Sequence, residues 1–337
     1  MEFFHFLGID VSKDTIDVEL RDQQEALVKC QFKNTKKGMK EMGKKMASQT
    51  EFDWVKTLVC LEYTGIYVNH LLQYLVDEKA CIWIERPLQI KNTLGMVRGK
   101  SDKVDAHRIA DYAFRYQDQV RLWKPSRPVI AKLKKLTAIR RQLIKTKDQL
   151  SKSLKESKSF EIKEIYTLAK DMTKPLIKQV EKKLAEVDNL IATTISEDER
   201  LKQLDAKITS VTGIGKVTSA AVIVTTNEFK DIQEPKKYAC YSGIVPYPNS
   251  SGSSKRGREK VSHLANKKIK TLLHLCAMSA IKSEGELKIY YEKKVAEGKN
   301  KMSVINAVRN KLVHRIFAVI REERRYEKNY EFCLVKP

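Results

Sequence analysis

The chain has 337 residues, too many for one small core and enough for two or three domains. Its 65 lysines and arginines outnumber 42 acids, and the resulting charge of +23 favours a polyanionic partner, nucleic acid first. No apolar run approaches the roughly 18 residues of a spanning helix, and no signal peptide precedes Phe3, so a soluble intracellular protein with no membrane partner is expected.

The segment Phe3 to Asp10, FFHFLGID, reads as a strand whose apolar run ends on a lone carboxylate. Two alternating segments follow. Ile16, Val18 and Leu20 oppose Thr15, Asp17 and Glu19, and Val28, Cys30 and Phe32 oppose Lys29, Gln31 and Lys33, which predicts a three-stranded antiparallel meander. Residues 35 to 49 look helical, and Thr57 to Leu61 form a fourth strand ending at Glu62. Gly65 to Asp77 give a helix with Thr64 as N-cap, and Ala80 to Ile84 a fifth strand. The order β-β-β-α-β-α-β-α is that of a ribonuclease-H-like α/β domain, placed over residues 1–125. The six cysteines, at 30, 60, 81, 240, 276 and 333, include no Cys-x-x-Cys, so neither a zinc site nor a disulfide framework is expected.

The last helix of this domain begins near Asp102 and lines up Ala106, Ile109, Ala110, Ala113 and Phe114 as a buried face that Asp102 and Asp105 share. Acids aimed at a core need a cation. With Asp10 and Glu62 at strand ends, four oxygen donors suit two Mg2+ ions, with Mn2+ able to substitute, roughly 4 Å apart for attack on a phosphodiester. His107 reads as a solvated helix residue.

Three blocks, FLGIDVSKDTIDV, CLEYTGIY and RGKSDKVDAHRIADYA, resemble the signatures of the insertion-sequence family one-ten transposases, whose RuvC-like domain carries an Asp-Glu-Asp-Asp set and which includes the Piv-type DNA invertases. The resemblance implies that Asp10, Glu62, Asp102 and Asp105 are catalytic metal ligands. It further implies donor and target DNA, a guide or bridge RNA encoded outside the chain, and the bacterial cytoplasm.

From Arg121 to Phe160 there are thirteen Lys or Arg and two acids, a net of +11. Leu136, Leu143 and Leu150 recur every seven residues, so this is a basic amphipathic helix able to pair with another. Lys134, Lys135, Arg140 and Arg141 are its candidate nucleic-acid contacts. A second helix is predicted from near Thr173, with Pro175 in its first turn. Residues 126–205 therefore form a helical hairpin, which the resemblance identifies as a coiled-coil connector and which favours a homo-oligomer, dimer or tetramer.

Residues 206–337 read as a mainly α domain. VTGIGKVTSAAVI departs from a P-loop and looks like a helix-hairpin-helix turn, with Val217, Ala220, Ala221 and Val224 on one helix face. Next, Pro246, Pro248 and the run Ser250-Ser251-Gly252-Ser253-Ser254 precede Lys255, Arg256 and Arg258. By composition this is a flexible basic loop that can bind nucleic acid. The resemblance instead makes it the transposase motif with Ser251 as nucleophile, Ser250 and Ser253 remaining alternatives. Helices at about 264 to 282, 286 to 298 and 301 to 322 follow.

The expected function is a DNA transposase or site-specific recombinase that cleaves and rejoins DNA through a phosphoserine link at a composite Mg2+-dependent site. A hydrolytic RuvC-type junction nuclease, using only the acids and water, and a non-catalytic nucleic-acid-binding protein are the rivals. A tyrosine recombinase using Tyr241 or Tyr247 would leave the acids unexplained.

Overall fold

A computed structural model describes residues 2–93, 102–251 and 255–327, without the side chains of 102–104, 248–251, 255, 256 and 258–260. The chain divides at Pro125 into two compact units.

The first unit is built on β1 (His5–Val11), β2 (Thr15–Arg21) and β3 (Ala26–Lys33), followed by α1 (Lys36–Ala47), β4 (Thr57–Glu62), α2 (Asn69–Asp77), β5 (Cys81–Glu85), a short α3 (Pro87–Thr93) and α4 (Asp102–Arg115). The sheet runs β3-β2-β1-β4-β5. The first three strands are antiparallel neighbours, whereas β4 and β5 run parallel to β1. Strand alternation sorts side chains onto two covered faces. Leu7, Ile9, Val11, Val59 and Leu61 pack on Met39, Met42 and Met46 of α1 and on Leu71 and Leu75 of α2. Phe6, Leu58, Cys60 and Trp83 pack on Ile109, Tyr112 and Ala113 of α4.

One local expectation is corrected here. Thr64 makes no side-chain cap, because its φ of −99° and ψ of 28° are not the extended geometry of an N-cap. The chain enters α2 through a 3-10 turn, Gly65–Val68, instead. On the polar face of β2, Asp17 and Glu19 are 3% and 1% exposed, because α4 covers that side of the sheet.

The second unit opens with α5 (Pro128–Phe160) and α6 (Lys163–Ser196), an antiparallel hairpin. Ion pairs Arg140–Asp188, at 2.5 Å, and Lys147–Glu181, at 2.8 Å, join the two helices. The second helix starts ten residues before the expected Thr173, and Pro175 lies inside it. A proline at a first turn and one inside a helix look alike locally, and here packing on α5 carries the helix through. At the foot of the hairpin Ile130, Leu133, Val187, Ile191 and Ile195 enter one core with α7 (Glu199–Ser210), α8 (Lys216–Thr226) and α9 (Pro235–Tyr241). After β6 (Tyr247–Ser251) and β7 (Lys255–Lys260), the same core takes in α10 (Lys267–Lys282), α11 (Glu286–Ala296) and α12 (Lys301–Arg321).

A polar knot closes this core. Arg127 donates to both oxygens of Asp198, at 2.8 and 2.9 Å, and to both oxygens of the fully buried Glu228, at 3.1 and 2.5 Å. Arg200 and Lys230 also pair with Glu228. Burial alone would raise the Glu228 pKa, yet Arg127 and Lys230 hold it below 4.5.

The turn between α7 and α8 has Gly213 at φ +90°, where a Cβ would meet the Cys276 carbonyl at 2.7 Å, so glycine is required twice over. In α8 the buried residues include Ser219, Ala220, Val222, Ile223 and Thr226, while Val217 is exposed. The packed face is thus rotated from the one read off the sequence. In place of a flexible loop, residues 247–251 and 255–260 pair as antiparallel strands, Ser251 opposite Lys255 and Ser250 opposite Arg256. Pro248 falls where the register shifts, the position in a ladder that tolerates a residue without an N–H.

Candidate active site

Parallel pairing of β1 with β4 puts Ile9 beside Leu61, so the next residues, Asp10, one before the end of β1, and Glu62, the last of β4, lie at the same edge of the sheet. Both are in phase with residues facing α4: Asp10 follows Phe6 and Gly8, and Glu62 follows Leu58 and Cys60. Gly8 fixes how closely that helix lies, since a Cβ there would stand 2.3 Å from the Ala106 carbonyl oxygen and from the Ala110 nitrogen. Direct backbone contact sets Asp105, one residue before Ala106, over the ends of the two strands.

The electrostatics reflect this crowding. The Glu62 carboxyl is pushed above its ordinary 4.5, first by burial and then by the charges of Asp10 and Asp105. Asp105 accepts a hydrogen bond from Arg108, one turn along α4, at 2.8 Å. Among the described residues no three carboxylate, imidazole or thiol groups are drawn together tightly enough to grip an ion. Three half-buried carboxylates that repel one another nevertheless offer hard oxygen donors of the kind Mg2+ takes. Asp102 begins α4 one turn before Asp105, and its side chain lies outside the described residues.

Other polar groups on this face escaped the sequence reading. Glu19 Oε1 lies 2.6 Å from His107 Nδ1, and the Lys29 ammonium forms an ion pair with Oε2 at 3.0 Å. His107 is therefore paired with Glu19 as well as half-exposed. Asp17, directly across from Asp10, accepts from the Gln31 amide on both oxygens, at 3.1 and 3.0 Å. Glu85 stands across from Glu62 and accepts from Tyr112, at 3.3 Å. The available signal was period two: Asp17, Glu19 and Glu85 share the phase of Asp10 and Glu62.

Of the basic candidates, Lys134, Lys135 and Arg141 are exposed on α5, whereas Arg140 is engaged with Asp188 within the hairpin. Ser251 ends β6; its side chain and those of Ser250, Lys255, Arg256 and Arg258 lie outside the described residues, as does all of Ser253.

With the two ends of the chain so arranged, a family model for the IS110 transposases with an Asp-Glu-Asp-Asp domain matches residues 7–157. A second, described as Transposase IS116/IS110/IS902 family, matches residues 205–292. The chain belongs to the IS110 family of transposases. As an IS110-family protein it is a DNA recombination enzyme, and its first matched segment holds all four acids while its second holds Ser251. Pilin gene-inverting proteins of Moraxella bovis and Moraxella lacunata are each 27% identical to it over 330 residues, covering 96% of this chain and 98% of theirs. The solved structure of T. thermophilus RuvC in complex with a Holliday junction substrate matches 36% of this chain and 99% of its own, at 14% identity and a TM-score of 0.27, a likeness too slight to build on. No helix among the described residues is long and apolar enough to cross a membrane.

Proposed function

We propose that this chain cuts and rejoins DNA at a composite site, in which a RuvC-like domain with a ribonuclease-H-like sheet supplies the acids and the C-terminal domain supplies Ser251. The observation that carries the reading is Glu62, half-buried at a strand end and raised by burial and by Asp10 and Asp105. Mutual repulsion of this kind is costly to keep unless a cation or a proton is used there. Asp10, Glu62, Asp102 and Asp105 would hold Mg2+, with Mn2+ as substitute, supplying positive charge to the phosphate and to the departing 3′-oxygen.

Ser251 is the nucleophile in this scheme. Its Oγ bonds to phosphorus as the bond to the 3′-oxygen breaks, and reversal of the step onto a second strand rejoins DNA. Lys255, Arg256 and Arg258, on the strand paired with β6, balance charge on the phosphate. Residues 126–205 serve as connector and oligomerisation arm of a dimer or tetramer, and residues 206–337 as the transposase domain. The exposed Lys134, Lys135 and Arg141 of α5 bind nucleic acid by charge, including the bridge RNA that selects the DNA.

The test is to trap end-labelled DNA on the protein and map the modified peptide. The wild type should give a DNA adduct at Ser251, and Ser251→Ala none while still binding DNA. Ser250→Ala and Ser253→Ala should retain it. Strand cleavage by Ser251→Ala without an adduct would instead identify a hydrolytic nuclease.

A further inference from the structure

Apart from both matched motifs, the second unit contains a buried arginine with no acid beside it. Arg309, in α12, is 6% exposed. Its Nη2 donates to His274 Nδ1 of α10 at 2.6 Å and its Nη1 to Asn306 Oδ1 at 3.3 Å, while its Nε has no partner. Lys270 precedes His274 by one turn of α10, and its stem passes Gly243, where an added Cβ would lie 3.9 Å from Lys270 Cδ. Among the described residues no carboxylate pairs with Arg309, Lys270 or His274.

The chemistry of this cluster is one-sided. Guanidinium keeps its proton in proteins, so Arg309 stays charged. A buried charge without a counter-ion is strongly disfavoured, and Arg127 shows how this same fold neutralises one where the role is structural. Burial, followed by the charge of Arg309, lowers the pKa of both Lys270 and His274. A neutral His274 that accepts at Nδ1 carries its proton on Nε2, which leaves a second donor one helical turn from Lys270. Asn306 ties the cluster to the chain leading into β6, donating to the Ile244 carbonyl at 2.7 Å.

We propose that Lys270 and His274, with the Arg309 charge behind them, bind one phosphate of the DNA strand held at the β6–β7 hairpin. The assignment to DNA rests on the proposed function; the need for an anion does not. Arg309 supplies field from behind, and Lys270 and the Nε2–H of His274 make the contacts.

Two readouts on the full chain in EDTA test this. Inorganic phosphate should raise the unfolding midpoint of the wild type above that in chloride of equal ionic strength. Lys270→Gln should lose that increment and Lys270→Arg keep it. With uncleaved duplex DNA, Lys270→Gln should bind about tenfold more weakly, and its slope of log K against log salt should be shallower by about one. Arg309→Met should bind DNA equally poorly yet unfold no earlier than wild type in chloride, since it removes an unbalanced charge; if it does not fold, Lys270→Gln decides alone. Equal stabilisation of wild type and Lys270→Gln by phosphate, an unchanged salt slope, or a folded Arg309→Met that unfolds earlier in chloride would overturn the inference. Both readouts are taken without metal and without cleavage, so strand cleavage that persists in EDTA would defeat the proposed function while leaving this inference standing.

Discussion

Glu62 and Glu228 are the same side chain in two opposite settings. Glu228 is fully buried and ringed by Arg127, Arg200 and Lys230, which hold its pKa down against burial. Glu62 sits half-buried at a strand end, where burial and two acids push its pKa up. The first arrangement is complete and knots three segments of a core together. The second leaves like charges facing one another, and under the proposed function a cation from outside completes it.

The comparison breaks most visibly in activity. Glu62→Gln or Asp105→Ala should reduce strand cleavage on the order of a thousandfold or more, measured on a denaturing gel, yet leave the unfolding midpoint in EDTA no lower than wild type. Glu228→Gln should do the reverse, costing about 3 kcal/mol in urea unfolding because Arg127 loses half its partners, with cleavage by the folded fraction unchanged. A Glu62→Gln protein that unfolds early would show that the acid is structural after all.

The two carboxylates should also answer pH with opposite sign. In EDTA the fold binds the Glu62 proton more tightly than the unfolded chain does, so stability falls as pH rises from 4.5 through the raised folded value. Glu228 and Asp198 are held below 4.5 and 3.8, so their contribution is present above those values and lost as pH falls through the folded ones. Unfolding midpoints across pH should lose the upper slope in Glu62→Gln and part of the lower one in Glu228→Gln. The smallest effect belongs to α5. Replacing Lys134, Lys135 and Arg141 with Gln should flatten the salt dependence of DNA binding by about one unit for each lost phosphate contact, whereas Arg140→Gln, whose partner is Asp188, should leave the slope alone.

The sequence was most legible where one physical pattern dominates. Two strands follow from period-two alternation and the others from short apolar runs, and the last three helices lie close to where they were expected. The parallel placement of β4 on β1, which brings Asp10 to Glu62, was anticipated only through the order of elements, because pairing is a property of the whole sheet. The burial of Asp17 and Glu19 was not legible, because alternation cannot tell one covered face from two. His107 read as solvated because its partner lies 88 residues away on β2. The strands Tyr247–Ser251 and Lys255–Lys260 were hidden by prolines and serines that match a flexible loop, since ladder partners and a register shift lie outside any local propensity. Arg309 had no signal at all: a lone arginine in an amphipathic helix reads as surface until burial is known.

The hairpin of α5 and α6 has a consequence in length. A helix of 33 residues rising 1.5 Å at each is about 50 Å long, which equals roughly fifteen base pairs of duplex at 3.4 Å apiece. Cross-ties such as Arg140–Asp188 and Lys147–Glu181 make that span a strut more than a tether. A strut fixes a distance, and fixed distances are what an enzyme needs if two cuts must fall a set number of bases apart.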